Sequence, residues 1–350
     1  MKKDEKSRVN ILLSACEDLN RNIAKYPPVL DIHPVMNVCN LSCKWCVGKT
    51  RLDNTTVQRP IYMEKHGFLE ILKMIFNTEK HDLFPQEVHF CGNNSEPLLN
   101  EDIVIEGIEY LKTLGVKTNI ITNGLLIDKE MAKRLQSANT ISISLDATSN
   151  FSYCNNKCLH HEYEEPFDKI CQNIELLNIN RRNSNTDQVI STSFLISDLD
   201  ELNFDFELCL RSLSRIGVDL VKIRFDANNV SQQNMYSTVR KKIDEYNVSD
   251  SEMSVVCGFS DDSVENKIFS ECYGPMIWPT LAANMKMYAC AHCANLGYNF
   301  FLDLYNDNYY EYYQRHNNVL FAREINCDIN CPPLLAMINS SMSYQQRSFL

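Results

Sequence analysis

The sequence predicts an α/β chain: a partial (β/α)6 TIM-like barrel over residues 31–250, preceded by an N-terminal helix over 1–30 and followed by a Cys-rich, hairpin-containing domain over 251–350. Three observations predict it. Short β-rich runs alternate with amphipathic stretches at repeats of roughly 30 to 50 residues, the βαβ rhythm of a parallel sheet. Several of those runs alternate apolar and polar residues with period two. Near Ser249–Ser254 the rhythm stops, and Cys, Pro, Asn and Tyr become dense.

Residues 1–27 read as a polar helix closed by Pro27–Pro28, since proline cannot continue a helix. Strands are expected at Pro34–Val38, Glu87–Gly92, Lys117–Asn123, Thr140–Ala147, Val189–Ser197 and Leu220–Ala227, with helices near 64–77, 101–114, 128–138, 166–182 and 201–216. Ile141, Ile143 and Leu145 interleave with Ser142, Ser144 and Asp146; Val221, Ile223 and Phe225 interleave with Lys222, Arg224 and Asp226. Val88 and Phe90 interleave with His89 and Cys91 in the same way. Successive strand side chains point to opposite faces, so each strand has one apolar face for the helices and one polar face. Parallel strands covered on both sides usually read as continuous apolar runs. The alternation therefore predicts a ligand chamber lined by Asn119, Asn123, Ser142, Ser144, Asp146, Ser193, Lys222 and Arg224. Functional groups of α/β barrels gather at the C-terminal strand ends.

Apolar content of 44% and charged content of 23% are those of an ordinary globular chain. The 350 residues suit a barrel of about 200–250 residues with an appendage. With 34 Lys plus Arg against 45 Asp plus Glu, the net charge is −11, and no basic block occurs. Nucleic acid is disfavoured as a partner, because phosphate contacts need clustered Lys and Arg. No apolar run is long enough to span a membrane or form a signal-peptide core, so a cytoplasmic location is expected. Fifteen cysteines in a reducing compartment are not read as disulfides. Clustered ones read as metal ligands, whereas Cys16, Cys171, Cys209 and Cys257 read as ordinary buried thiols.

Cys39, Cys43 and Cys46 fall in the string CNLSCKWC. Three thiolates at this spacing can wrap one loop around an iron–sulfur cube and leave one iron without a protein ligand. Structural zinc would want a fourth Cys or His close by, and the next candidate is His66. On spacing alone, cluster and zinc both stay open.

Here the chain resembles the radical S-adenosylmethionine (radical SAM) superfamily. Four motifs follow in the superfamily's order: CNLSCKWC at 39–46, FCGNNSEPLLN at 90–100, ITNGLLI at 121–127 and SISLDA at 142–147. FCGNNSEPLLN resembles the superfamily's Gly-Gly-Glu-Pro segment, with extra residues where two glycines are usual. The resemblance implies a [4Fe–4S] cluster on Cys39, Cys43 and Cys46 whose open iron chelates S-adenosylmethionine. Reductive cleavage would then release a 5′-deoxyadenosyl radical that abstracts hydrogen from the substrate, with flavodoxin or ferredoxin as electron donor. It further implies that Trp45 sits beside the adenine and that Gly92, Asn93 and Glu96 lie against the methionine ammonium. Asn123, Ser144 and Ser193 are implied contacts to ribose or carboxylate.

Beyond residue 250, Cys272 and Cys290 bracket a segment that reads as a hairpin with Ala-Asn at its turn, and Cys327 and Cys331 follow in CDINC. This arrangement resembles the Twitch or SPASM extension of radical SAM enzymes. It implies a second, auxiliary [4Fe–4S] cluster on Cys272, Cys290, Cys327 and Cys331, with Cys293 able to replace one ligand. The family hairpin carries Gly near position 285, where this chain has Met285. The paired spacing of Cys290, Cys293, Cys327 and Cys331 suits tetrahedral zinc as well, with His292 as a further ligand. Cys154 and Cys158, beside His160 and His161, form another metal candidate in a segment expected to be an irregular, lid-like loop.

The expected activity is that of a radical SAM oxidoreductase or lyase acting on a small polar molecule (a sugar, aminocyclitol or nucleoside) by oxidation, epimerisation or dehydration. Lys222, Arg224 and Asp226 are its catalytic candidates, one of them taking the hydroxyl proton. Arg is a poor base, so Arg224 is expected to orient the substrate; its alternative role is a salt bridge with Asp226 or Asp146. A peptide or protein side chain is the alternative substrate. The stretch before the first expected strand is too short for a peptide-recognition domain, which favours the small molecule. An iron–sulfur or zinc scaffold without catalysis is the third reading.

Overall fold

A computed structural model of the protein describes residues 11–12, 14–18, 26–46, 59–77, 79, 84–157, 163–196, 204–225, 233–248, 253–257, 272–296, 300–315, 335 and 338–339. Residues 11–12 and 14–18 are helical, and the elements that follow are β1 (Val29–Ile32), β2 (Val35–Met36), β3 (Ile61–Tyr62), α1 (Lys65–Ile75), β4 (Glu87–Phe90), α2 (Glu101–Thr113) and β5 (Lys117–Thr122). Then come α3 (Lys129–Arg134), β6 (Thr140–Ser144), α4 (Asn150–Lys157), α5 (Pro166–Asn183), β7 (Val189–Ile196), α6 (Phe204–Ile216) and β8 (Leu220–Phe225). The remainder are α7 (Gln233–Val248), β9 (Ser254–Cys257), the single turn α8 (Gly274–Ile277), β10 (Thr280–Leu281), β11 (Lys286–Tyr288), α9 (Ala291–Leu296), β12 (Leu302–Asp303) and α10 (Tyr309–Arg315). The fold is α/β with a large, mostly parallel sheet. None of the described helices is long and apolar enough to cross a membrane. The chain divides into two compact units, one holding Cys39–Cys46 with Asn119–Ser260, the other Lys2–Val38, Val47–Thr118 and Asp261–Leu350.

In the first unit β5, β6, β7, β8 and β9 pair in that order, all parallel. Ile141, Ile143 and Leu145 are fully buried, while Ser142 and Ser144 between them are half-buried. The period-two split thus appears as two faces. Register puts Ser144 opposite Ser193 and Ser193 opposite Lys222, which makes one polar row across three strands. Deeper along the same face, the Ser142 hydroxyl donates to Asn119 Oδ1 at 3.1 Å and lies 2.9 Å from Ser191 Oγ. Arg181 on α5 ties the helical layer down. It donates to the Gln188 and Gly217 carbonyls at 3.0 and 2.9 Å and pairs with Asp219.

Three expectations change. The first parallel strand is Val29–Ile32, directly after Pro27–Pro28, rather than Pro34–Val38. It is a continuous buried run pairing in parallel with both β4 and β10. Pro34 lacks an amide donor, the chain leaves the sheet there, and Val35–Met36 instead pairs antiparallel with Ile61–Tyr62. The α/β alternation also continues past residue 250, because β9 pairs in parallel with β8. The preceding α7 has only Val239 and Ile243 buried among its described side chains, so its periodicity is faint. Finally, residues 150–157 form a helix and not an irregular loop. Ser149 Oγ accepts the Ser152 amide at 3.2 Å while Ser152 Oγ accepts the Ser149 amide at 3.0 Å, a reciprocal cap.

In the second unit β10, β11 and β12 pair antiparallel, and β10 joins β1. The expected hairpin forms. Its turn holds Met285 at φ 59°, left-handed backbone that favours glycine, yet the Met285 side chain is fully buried. The Met285 amide donates to the Ala282 carbonyl at 2.9 Å, and its own carbonyl accepts from Leu304 at 3.0 Å. Replacing Met285 by Gly would relieve about 1–2 kcal/mol of backbone strain, whereas truncating a buried Met costs about 2–5 kcal/mol. Met285→Gly is therefore expected to lower unfolding free energy by about 1–3 kcal/mol in a urea titration. A more stable variant would show that strain outweighs packing at this turn.

Candidate metal and cofactor site

The loop Cys39–Cys46 is fixed by groups that the rest of its unit leaves unsatisfied. The last carbonyls of a helix have no intrahelical partner. Here the carbonyls of Asn156 and Lys157, at the end of α4, accept the loop amides of Lys44 at 3.0 Å and Ser42 at 3.2 Å. Within the loop the Cys46 amide donates to the Cys43 carbonyl at 3.3 Å, and Cys39 Sγ accepts the Leu41 amide at 3.4 Å. Asn40, next to Cys39, accepts from Asn123 Nδ2 at 2.7 Å. Asn123 Oδ1 accepts the Leu125 amide at 3.0 Å, so both ends of that side chain are engaged in pinning the loop to the end of β5. Gly124 makes the turn possible at φ +82°, and a Cβ there would lie 3.0 Å from Ile143 Cγ2.

Beside the thiols sits a buried cation. Lys157 is 4% exposed and pairs with Asp146. Burial works against its ammonium, but the Asp146 carboxylate and the Cys43 and Cys39 thiols outweigh it, holding the Lys157 pKa above that of an ordinary lysine. Burial pushes the Cys43 thiol up while Lys157 pulls it back. Asp146 stands at φ 49°, accepts the Leu195 amide at 2.8 Å through Oδ1, and accepts Asn156 Nδ2 at 2.8 Å through its carbonyl. Its carboxylate is thus committed to Lys157 and β7 and not to Arg224.

Three thiols on one loop are a donor set that fits an iron–sulfur cube with one iron left free of protein ligand. Trp45 is half-buried in the turn between Cys43 and Cys46.

In the second unit the segment Gly92–Glu96 closes a tight turn. Asn94 adopts φ 55°, and a Cβ on Gly92 would lie 1.9 Å from Ser95 Oγ. The residues beyond a Gly-Gly pair are absorbed there. Glu96 is 2% exposed; its side chain accepts the Leu98 amide at 3.2 Å and its own amide donates to the Val38 carbonyl at 3.2 Å. Asn93 Nδ2 and Ser95 Oγ are buried without hydrogen-bond partners.

Of the remaining expected residues, Ser144, Ser193 and Lys222 are half-buried in their common row, and Arg224 is exposed. Asp226, Cys158, His160, His161, Cys327 and Cys331 lie outside the described residues. Cys154 is exposed on α4. Cys290 and Cys293 are buried with their sulfurs 3.7 Å apart, and Cys272 is half-buried. Gly274 is the spacer that brings Cys272 near β11, since a Cβ there would lie 2.2 Å from the Ala289 carbonyl oxygen and 3.3 Å from Cys272 Sγ. Of the four cysteines expected to be buried, Cys209 is buried while Cys16, Cys171 and Cys257 are half-buried; desolvation pushes the thiols of Cys16, Cys171 and Cys257 to about 11 and that of Cys209 to about 12. Sequence reasoning misses Lys157, whose one signal is the Ser149–Ser152 cap that starts its helix.

Residues 33–196 match the sequence profile of the Radical SAM superfamily. Streptococcus suis SuiB, crystallised with its precursor peptide SuiA, shares the fold at a TM-score of 0.61 and 14% identity, covering 86% of this chain and 67% of SuiB. The structure of anSMEcpe with bound AdoMet matches at a TM-score of 0.59 and 15% identity, covering 85% of this chain and 80% of that one. An uncharacterized protein of Methanocaldococcus jannaschii is 30% identical over 142 residues, 39% of this chain and 41% of that protein. The match thus spans less than half of that relative. At these identities the likeness to solved structures is one of fold.

The buried ion pair beside Cys43 and Cys39 has a measurable weight. Removing one partner of a buried pair costs about 3–5 kcal/mol. Lys157→Met is expected to lose that much in chemical denaturation and to retain less iron after reconstitution, with partial recovery in Lys157→Arg. Unchanged stability and iron content in Lys157→Met would show that Asp146 is satisfied without it.

Proposed function

We propose that the chain is a radical SAM enzyme, oxidoreductase or lyase in type, that acts on a small polar molecule in the cytoplasm with flavodoxin or ferredoxin as donor. The observation that carries the reading is the cysteine loop, seated on the end of α4 with Lys157 buried beside two of its thiols. When bound, a [4Fe–4S] cluster held by Cys39, Cys43 and Cys46 supplies the electron that cleaves S-adenosylmethionine to a hydrogen-abstracting 5′-deoxyadenosyl radical. Trp45 covers the adenine in this reading, and Gly92, Asn93 and Glu96 hold the methionine end. The buried, unpartnered Asn93 Nδ2 and Ser95 Oγ supply donors for its carboxylate. Ser144 and Ser193 serve the ribose, while Asn123 acts mainly by fixing the loop. Lys222 and Arg224 orient the substrate's oxygens, and Asp226 takes the hydroxyl proton.

Two observations favour alternative readings at particular points. SuiB shares the fold and was crystallised with a precursor peptide, which favours a peptide substrate as the alternative. We assign an auxiliary [4Fe–4S] cluster to Cys272, Cys290, Cys327 and Cys331; the 3.7 Å separation of Cys290 and Cys293 instead suits one tetrahedral ion.

Anaerobic reconstitution separates these. Two clusters give about eight irons per chain, and Cys43→Ala should retain about four while abolishing 5′-deoxyadenosine formation with a strong reductant. About four irons with about one zinc would replace the auxiliary cluster by a zinc site. No deoxyadenosine under any reducing condition would remove the radical mechanism.

For the substrate, deoxyadenosine formation is expected to rise with the low-molecular-mass fraction of a cell extract, and a response to the peptide fraction alone would move the reading to a peptide. Lys222→Ala should leave substrate-free cleavage intact and cut the stimulated rate about tenfold or more, the size of one charge-assisted contact of about 1.5–3 kcal/mol.

A further inference from the structure

We propose that Asp31, His33 and Cys91, in the second unit, form a mononuclear transition-metal site of the zinc class that uses none of the cysteines assigned above. β1 and β4 run parallel with Asp31 opposite His89, and Cys91 follows β4 with its amide on the Ile32 carbonyl at 3.0 Å. Alternate positions of a strand share a face. Asp31 and His33 on one strand, and Glu87, His89 and Cys91 on the other, therefore share a polar face, while the intervening Leu30, Ile32, Val88 and Phe90 are fully buried. The carboxylate oxygen, ring nitrogen and sulfur of Asp31, His33 and Cys91 all lie within 4.8 Å of one another.

Two further observations point to a ligand. His33 is 1% exposed, and its Nε2 has no hydrogen-bond partner. Thr280, opposite Asp31 in the β1–β10 register, is fully buried and its hydroxyl is also unpartnered. Buried polar atoms in folded proteins are normally paired, so two such atoms on one face require a cause. Burial holds the His33 pKa down to about 4, which keeps the ring neutral and its nitrogen lone pair available.

The surroundings are those of a ligand set. Asp31 Oδ1 accepts Trp278 Nε1 at 2.6 Å and lies 3.0 Å from His89 Nδ1, and His89 Nε2 lies 2.8 Å from Glu87 Oε1. Metal-ligating carboxylates are commonly oriented by such an outer layer. Mixed nitrogen, oxygen and sulfur donors suit zinc or iron(II) rather than magnesium or calcium. Charge balances too. Burial, and after it the Asp31 carboxylate, pushes the Cys91 thiol's pKa well up, so the metal-free thiol keeps its proton. Binding a dication displaces that proton to solvent, and the thiolate and carboxylate together then neutralise the two positive charges. Three protein ligands leave one coordination position for water or substrate, the pattern of reactive rather than structural zinc.

The test uses the full chain, reconstituted with iron and sulfide and then titrated with cobalt(II) and, separately, zinc(II). Wild type should bind about one equivalent more of either ion than Cys91→Ser or His33→Ala, with the iron content of all three equal. A thiolate-to-cobalt absorption band should be lost in Cys91→Ser. Equal zinc content and identical cobalt spectra in the three proteins would overturn the site. Should the variants fail to fold, wild type decides alone. Alkylation of Cys91 in mild urea, mapped by peptide mass, should slow at least about tenfold with zinc relative to chelator. Equal rates would overturn the proposal.

Discussion

The ion pair between Lys157 and Asp146 is the interaction on which the cysteine-loop unit depends. Two charges withdrawn from water are expensive, and a well-packed apolar pair is often as stable. Here the pair does something an apolar pair cannot. Asp146, in left-handed backbone at the end of β6, joins β7 through the Leu195 amide and α4 through both Lys157 and Asn156. Lys157 in turn offers its carbonyl to the cysteine loop and its ammonium to the electrostatics of Cys43 and Cys39. Three thiolates converging on one loop repel one another, and a fixed cation lowers that cost where water is scarce. One residue thereby sets both the position and the charge of the site.

The same logic explains which parts are legible in the sequence. Strands β4 to β8 and their helices are readable because each carries its own pattern: apolar residues at period two or at helical spacing, and punctuation at the ends. The cysteine loop is readable because its ligands lie within eight residues. Val29–Ile32 escapes a sequence reading because it is short and lies between Pro27–Pro28 and Pro34; its strand character comes from pairing with β4 and β10, residues far along the chain. α4 reads as a loop because it is polar, and a two-serine cap defines it more than any apolar stripe does. Lys157 carries no signal beyond that cap, since a lysine in a polar helix ordinarily faces water.

Met285 shows the reverse case. Glycine is the expected residue at the hairpin turn, and the backbone does take the conformation that glycine favours. The chain accepts the strain because the side chain is buried. A departure from a family pattern therefore need not alter the fold at that position; it can exchange one free-energy contribution for another of similar size.

Unsatisfied buried polar atoms mark where the fold leaves its self-consistency incomplete. Each costs about 1–3 kcal/mol, so a chain does not keep several without return. In the second unit Asn93 Nδ2 and Ser95 Oγ lie on one turn, and His33 Nε2 and Thr280 Oγ1 lie on one sheet face. In the first unit the polar row of Ser144, Ser193 and Lys222 is half-buried. His33 and Thr280 come from segments far apart in sequence, brought together by strand register, so no local motif could announce that pair. A triplet on one loop can be read directly from the sequence, whereas the polar row is written across several strands, in side chains whose neighbours exist only once the sheet has formed.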